Sequence, residues 1–195
     1  MSVHEEVQLD RSISVPSQHS AAPHPTYAGR ALAVLRIATG LLFLWAFADK
    51  AFGLGYATPS AKAWFSGGSP TKGFLGSVDV GPFSGMLHAW AGTWWADSLF
   101  MLGLLGLGVA VTLGIGLRLA AITGTIMMAL MWIAEWPLAR TTDAGRPSSS
   151  SNPLIDYHLI YALVLIVLAA TAAGTVWGLG HRWNTLAAGR TRWLR

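Results

Sequence analysis

From Ser98 to Ala134 the chain carries roughly 36 almost unbroken apolar residues with a single charge, Arg118, near the middle. As one helix this run would extend roughly 54 Å, far beyond the ~30 Å hydrocarbon layer of a bilayer. The pattern therefore predicts two spans folded back on each other, with a tight turn at Gly114, Gly116 and Arg118. A further apolar run covers Ala31–Phe52, and a last one follows Asn152-Pro153, which supplies a cap and a first-turn proline, and continues to Thr175. The expected fold is all-α: an integral membrane four-helix bundle with spans at Ala31–Phe52, Trp95–Leu117, Leu119–Leu138 and Pro153–Thr175.

Between the first two spans lies a connection of roughly 40 residues, too long to be structureless without a purpose. Thr58-Pro59 reads as the cap and first residue of one short helix. Pro82 opens another, in which Phe83, Met86, Leu87 and Trp90 fall on one face at i, i+3, i+4 and i+7. With Trp94 and Trp95 beside it, that amphipathic helix is expected in the interface plane. Gly106, Ala110 and Gly114 repeat every four residues and predict a close helix contact.

Composition changes the picture in three ways. A hydrophobic fraction of 53% against 11% charged residues is a membrane profile, and 195 residues are used up by four spans and two tails. The tails are residues 1–28, polar and expected to be a disordered cytoplasmic segment, and residues 177–195, a basic, Trp-rich juxtamembrane segment, leaving 29–176 as the membrane domain. The net charge of +4 resides in basic residues at segment ends, which speaks for membrane orientation rather than nucleic acid. Arg30, Arg118, Arg182 and the C-terminal arginines then mark the cytoplasmic side, giving a multi-pass cell-membrane protein with both termini inside and the long first loop outside. The absence of cysteine removes disulfides, thiolate metal sites and iron–sulfur ligation from this chain.

Ionisable groups within or beside the spans each need an account, at roughly 2.5–3.5 kcal/mol apiece on insertion scales. Arg36 and Lys50 stand near opposite ends of the first span, with Phe43 and Phe47 between them; each could snorkel to its own headgroup layer. Asp49 adjoins Lys50 and suggests a local ion pair. Glu135 shares a helix face with Met128, Met131 and Trp132 and is either a functional carboxylate or a structural ion paired with Arg140 or Lys50. Asp156 and His158 open the last span but lie about 160° apart on an ideal helix, so they could meet only if the first turn is distorted. Asp97 reads as a first-turn acid of structural value, and His88 as a solvated histidine. Asp49, Lys50, Asp97, Glu135, Asp156 and His158 all gather at the outer level under the Trp-rich connection. A charged pocket there, open to lipid, suits a lipophilic carrier such as a quinone.

Three stretches resemble the DoxX/DoxD family of small four-span membrane proteins: Leu35-Arg36-Ile37-Ala38-Thr39-Gly40 through Phe43 to Asp49-Lys50; Gly53 to Pro59 leading to Gly67-Gly68-Ser69-Pro70-Thr71; and Asn152-Pro153-Leu154-Ile155-Asp156-Tyr157-His158. The resemblance runs from Arg30 to Trp183, and its nearest subgroup is the thiosulfate:quinone oxidoreductase membrane subunit. It implies quinone-linked oxidation of thiosulfate to tetrathionate at the outer face. On position and chemistry, Glu135, His158 and Asp156 are the candidate catalytic residues, with Glu135 and His158 handling quinol protons. Arg36, Lys50, Asp49, Arg140 and Trp132 are the candidate substrate- or quinone-binding residues, Lys50 and Arg140 attracting the dianion. A quinone is the expected cofactor; no metal, haem or flavin signature is evident. Catalysis would then need either a defined pocket for direct transfer or a redox partner subunit. The expected partners are the bilayer, such a subunit and a second copy of the chain. The competing reading is a non-catalytic membrane anchor or assembly subunit. A channel or transporter fits less well, for want of a mid-depth helix break or inverted repeat.

Overall fold

The computed structural model describes residues 26–148, 150 and 152–187. The N-terminal tail up to residue 25 and the end of the C-terminal tail from 188 therefore lie outside the described residues, as do the arginines at 190, 192 and 195. Every regular element among the described residues is helical. In chain order these are α1 (Tyr27–Phe52), two 3-10 turns (Ser60–Lys62 and Trp64–Ser66), α2 (Pro70–Gly76), α3 (Ser84–Trp90), α4 (Trp94–Leu113) and α5 (Leu117–Glu135). They are followed by α6 (Tyr157–Ala170), a 3-10 turn (Ala173–Thr175) and α7 (Gly180–Ala187). Three helices, α1, α4 and α5, have the length and apolar composition to cross a membrane; only 28–39% of their most apolar windows is buried within the protein. Leu41, Trp45, Leu99, Leu102, Ile126 and Leu163 are among the large apolar side chains left on the outside. Helices apolar on all sides suit an apolar solvent. The last helix, α6, is apolar but has 14 residues.

The turn between α4 and α5 forms where the glycines predict it. Gly114 (φ 71°) and Gly116 (φ 56°) both adopt the left-handed conformation that L-residues avoid, the first closing α4 and the second opening α5. Arg118 falls inside the first turn of α5 rather than in the loop. α1 begins at Tyr27, capped by the Thr26 hydroxyl accepting from the Gly29 N–H at 3.1 Å, four residues before the first apolar residue of the pattern.

Four helices run alternately up and down. α1 packs along α4 and α5 along α6, while α4 and α5 meet more loosely. The α1–α4 seam is close because each helix offers a glycine to a larger residue of the other. A Cβ on Gly40 would come 2.8 Å from the Thr112 Cα, and one on Gly108 would come 2.6 Å from the Leu44 Cγ. The expected small-residue contact through Gly106 and Ala110 does not form: nothing lies within 4 Å of a Cβ on Gly106, and both residues line a cavity instead. Phe43, Met101, Leu104, Leu107, Val111, Met128, Leu165 and Leu168 form the buried core.

Arg36 does not snorkel. It is wholly buried, and its guanidinium turns inward onto backbone carbonyls. Nη1 donates to Val111 O (2.8 Å) and to Thr112 O, at the C-terminal end of α4. Nη2 donates to Trp177 O (2.9 Å) and, at 3.4 Å, to Val176 O, in the strap that follows α6. The strap is pressed onto the same end: Leu179 N–H donates to Leu113 O, and Gly174 lies against Gly114. A cation there meets the partial negative charge of a helix C-terminus. Part of the expected tail, residues 177–187, is thereby built into the fold.

The long first connection is ordered, with corrections of detail. Thr58-Pro59 leads into the 3-10 turns, not an α-helix. α2 was not foreseen; Asp97 organises it by accepting from the Ser69 hydroxyl (2.9 Å), the Thr71 N–H (2.9 Å) and the Thr71 hydroxyl (2.6 Å). In α3, Leu87 is buried against Val78 and Ala134 with Trp90 packed beside it, whereas Phe83, which sits at the N-cap, and Met86 remain exposed. His88 is not simply solvated: its Nε2 bonds Val78 O at 2.7 Å.

Arg36→Gln leaves several carbonyls at this junction without their donor and should lower stability by about 3 kcal/mol. The check is thermal unfolding of the detergent-solubilised protein followed by circular dichroism. An unchanged unfolding temperature would contradict the central role given to this side chain.

Candidate functional site

At the end of the bundle opposite Arg36, the last residue of α5 meets the start of α6. Glu135 closes α5, and Trp136 after it turns the chain with a left-handed φ of 39°. The fourth helix does not begin at Asn152-Pro153. The Asn152 side chain instead accepts from the Leu154 and Ile155 N–H groups (2.9 Å each), an Asx-type turn that diverts the chain. Asp156 then becomes the N-cap, in extended conformation (φ −109°, ψ −174°), accepting from the Leu159 N–H at 3.1 Å.

That displacement of the helix start decides the chemistry. Because Asp156 precedes the helix, the 160° separation of an ideal wheel does not apply, and Asp156 Oδ2 lies 2.8 Å from His158 Nδ1. His158 is 1% exposed. Its other ring nitrogen, Nε2, is buried, has no hydrogen-bond partner among the described residues, and stands 4.0 Å from Glu135 Oε1. Tyr157, between the two, donates its phenol to Glu135 Oε1 at 2.5 Å, and its ring leans on the His158 ring with centroids 4.0 Å apart. The four residues thus form one chain of contacts: Asp156 to His158, and Tyr157 to Glu135. Burial pushes the Asp156 carboxyl up, but hydrogen bonds from the His158 ring and the Leu159 N–H outweigh it and hold the group below the ordinary carboxylate range.

This cluster sits at one end of a cavity of about 1870 Å³ that runs along α4 and α5 and is also lined by α1, α6 and the first connection. Glu135, Tyr157, His158 and Tyr161 line it at the cluster, and Lys50, Lys62 and Lys72 also belong to its lining; Leu102, Gly103, Gly106 and Ala110 from α4 and Thr123 and Ile126 from α5 line its length. Gly116 and Trp183 line the other end. The cavity therefore follows nearly the whole of α5, roughly 28 Å at the helical rise.

Of the sequence-derived candidates, Glu135, His158 and Lys50 share this cavity, with Asp156 behind His158. The remaining four do not line it. Arg36 is engaged at the opposite end. Asp49 is buried and bonds the Tyr56 and Ala57 N–H groups (3.3 and 3.1 Å), shaping the 53–58 loop rather than pairing with Lys50. Trp132 packs on Trp136, centroids 5.9 Å apart. Arg140 is exposed, and neither it nor Lys50 is within ion-pair distance of Glu135; the carboxylate has Tyr157 and His158 instead. Tyr157 was not singled out from sequence, because its partner is 22 residues away.

One ligand atom each from Glu135, Asp156 and His158 lies within 4.8 Å of the others. With Asp156 held on Nδ1, however, only Nε2 and Glu135 face a common point, two fewer than a closed zinc site uses. The geometry is better suited to hydrogen bonding. No protein family, curated protein or solved structure matches this chain.

Since Asp156 is held below its ordinary value of about 3.9, its capping contribution is present above that pH and is lost as pH falls through the lower, folded-state value. Asp156→Ala should cost about 1 kcal/mol at neutral pH. As pH falls below the ordinary carboxylate range, the difference from the parent protein should shrink, as read by thermal unfolding. A difference independent of pH would contradict the assignment.

Proposed function

We propose that this chain is the membrane subunit of a quinone-linked oxidoreductase, a four-span bundle in which α6 is the shortest span and both termini are cytoplasmic. One observation carries this reading: a long, mostly apolar cavity along two apolar helices ends in a compact group of proton-exchanging side chains, and lysines share its lining. A lipophilic carrier with an isoprenoid tail and a redox head needs both parts, a groove for the tail and hydrogen-bonding groups for the head. The resemblance of the Arg36–Lys50 and Asn152–His158 stretches to the DoxX/DoxD family supports the same reading. It adds thiosulfate as the electron donor.

In this mechanism two thiosulfate ions give up one electron each and join through a new sulfur–sulfur bond as tetrathionate. A quinone held near Glu135 and His158 would supply the acceptor for those two electrons and for two protons, leaving as quinol. Lys50 attracts the dianion to the head of the cavity, and His158 and Glu135 exchange the protons. Asp156 orients the His158 ring. Arg140 and Arg36 take no part. A non-catalytic anchor would be left with the cavity but without turnover.

Right-side-out membrane vesicles containing this chain as the only added protein should reduce quinone when thiosulfate, an impermeant dianion, is supplied outside. Glu135→Gln should lower that rate about 100-fold or more while the variant stays inserted. Loss of thermal stability with activity spared would make Glu135 structural. Absence of any thiosulfate-dependent reduction by the parent chain would favour the anchor.

A further inference from the structure

The hydrogen-bonding polarity of the head group's surroundings goes further than the presence of a pocket. An ionised carboxylate only accepts hydrogen bonds. Asp156 receives the Leu159 N–H on Oδ1 and the His158 Nδ1 on Oδ2, so Nδ1 is the ring nitrogen that carries a hydrogen. In the neutral imidazole the other nitrogen, Nε2, is then a bare lone pair. It is buried and has no partner among the described residues, on a residue that lines the cavity; Glu135 at 4.0 Å is beyond hydrogen-bond distance. Glu135 is itself an acceptor and already takes the Tyr157 phenolic hydrogen; Tyr161, one turn further along α6, also lines the cavity. Glu135 and the His158 Nε2 are therefore both acceptors.

We propose that the Glu135–His158 end of the cavity selects the quinol, whose hydroxyl groups donate, over the quinone, whose carbonyl oxygens can only accept. The inference rests on the reading of the cavity as a quinone site. A quinol hydroxyl placed between α5 and α6 can donate to Nε2 or to Glu135. A quinone carbonyl in the same place would face two acceptors and leave Nε2 unsatisfied. The donors that also line the cavity, Lys50, Lys62, Lys72 and the Tyr161 hydroxyl, do not reverse this preference, because each can donate equally to a hydroxyl oxygen and to a carbonyl oxygen. Leaving a buried polar atom unmatched costs enough to predict at least about a tenfold preference for the quinol. A tenfold preference for the reduced form raises the two-electron potential of the bound couple by about 30 mV. The bound quinone is thereby a stronger oxidant than the free one, the direction needed to draw electrons from an external donor.

The test is anaerobic titration calorimetry of the purified full chain in detergent with decylubiquinol and, separately, decylubiquinone. It is run at about pH 8. The expected result is quinol binding about tenfold or more tighter than quinone. Glu135→Gln, which puts an amide donor where the carboxylate was, should tighten quinone, weaken quinol and bring the ratio towards one. Equal affinities in the parent protein, or tighter quinone binding, would overturn the inference and leave the quinone site standing. Binding of neither compound would overturn both. One tightly held divalent ion per chain by elemental analysis would also overturn it, since Nε2 would then be a ligand.

Discussion

The arrangement depends on one buried cation. Arg36 gathers three parts of the chain that are far apart in sequence: its own helix, the last carbonyls of α4 and the strap after α6. Taking a guanidinium out of water is costly. The cost is offset here because its donors meet carbonyls at the end of α4 and in the strap, Val111 O being shared with the Gly114 N–H, at the negative end of a helix dipole. Such carbonyls are a standing requirement of any helix end placed away from water. The five-donor fork of arginine serves several at once where lysine's single ammonium nitrogen would not. The glycines around it, Gly114, Gly174 and Gly178, let backbone approach closely enough for this geometry.

With that end tied together, the α1–α4 and α5–α6 pairs need not pack tightly along their whole length. The α1–α4 seam is closed by Gly40 and Gly108, and Gly124 admits Leu165 of α6 and Leu107 of α4 to the α5 surface. Between α4 and α5, by contrast, Gly106 and Ala110 leave room, and the cavity runs there. The polar cluster lies at its far end, where α5 stops and α6 starts, so it is built from two helix termini rather than from mid-helix residues. Terminal positions explain how carboxylates and a histidine are tolerated beside so much apolar surface. Asp156 serves as a cap, and Glu135 takes a phenolic hydrogen.

Much of this was legible from the pattern of residues. The length of the Ser98–Ala134 run forced a turn, and only Gly114 and Gly116 could supply the positive φ angles it uses. Grouping acids and cations by depth placed Lys50, Glu135 and His158 at one level, and they line one cavity. What escaped was governed by local alternatives that periodicity does not register. Asn152-Pro153 carries a strong helix-start signal, yet the Asn152 side chain forms an Asx turn and the helix begins at Tyr157. That shift of a few residues turned Asp156 from a helix-face residue into the partner of His158. Asp49 has a cation next in sequence, but two backbone N–H groups won its carboxylate. Arg36 looked like an interfacial cation because the carbonyls that hold it come from residues 111–112 and 176–177, which no local pattern connects to it.

The claim at the centre of this account is that the groove between α4 and α5 holds the tail of a lipophilic redox carrier. Gly106 offers a direct probe, since a side chain there meets open space and can fill the groove without disturbing the core. Native mass spectrometry of the protein extracted in mild detergent should find one isoprenoid quinone per chain, lost in Gly106→Phe while the variant stays folded. Finding phospholipid alone in the parent protein, or undiminished quinone in the variant, would contradict it.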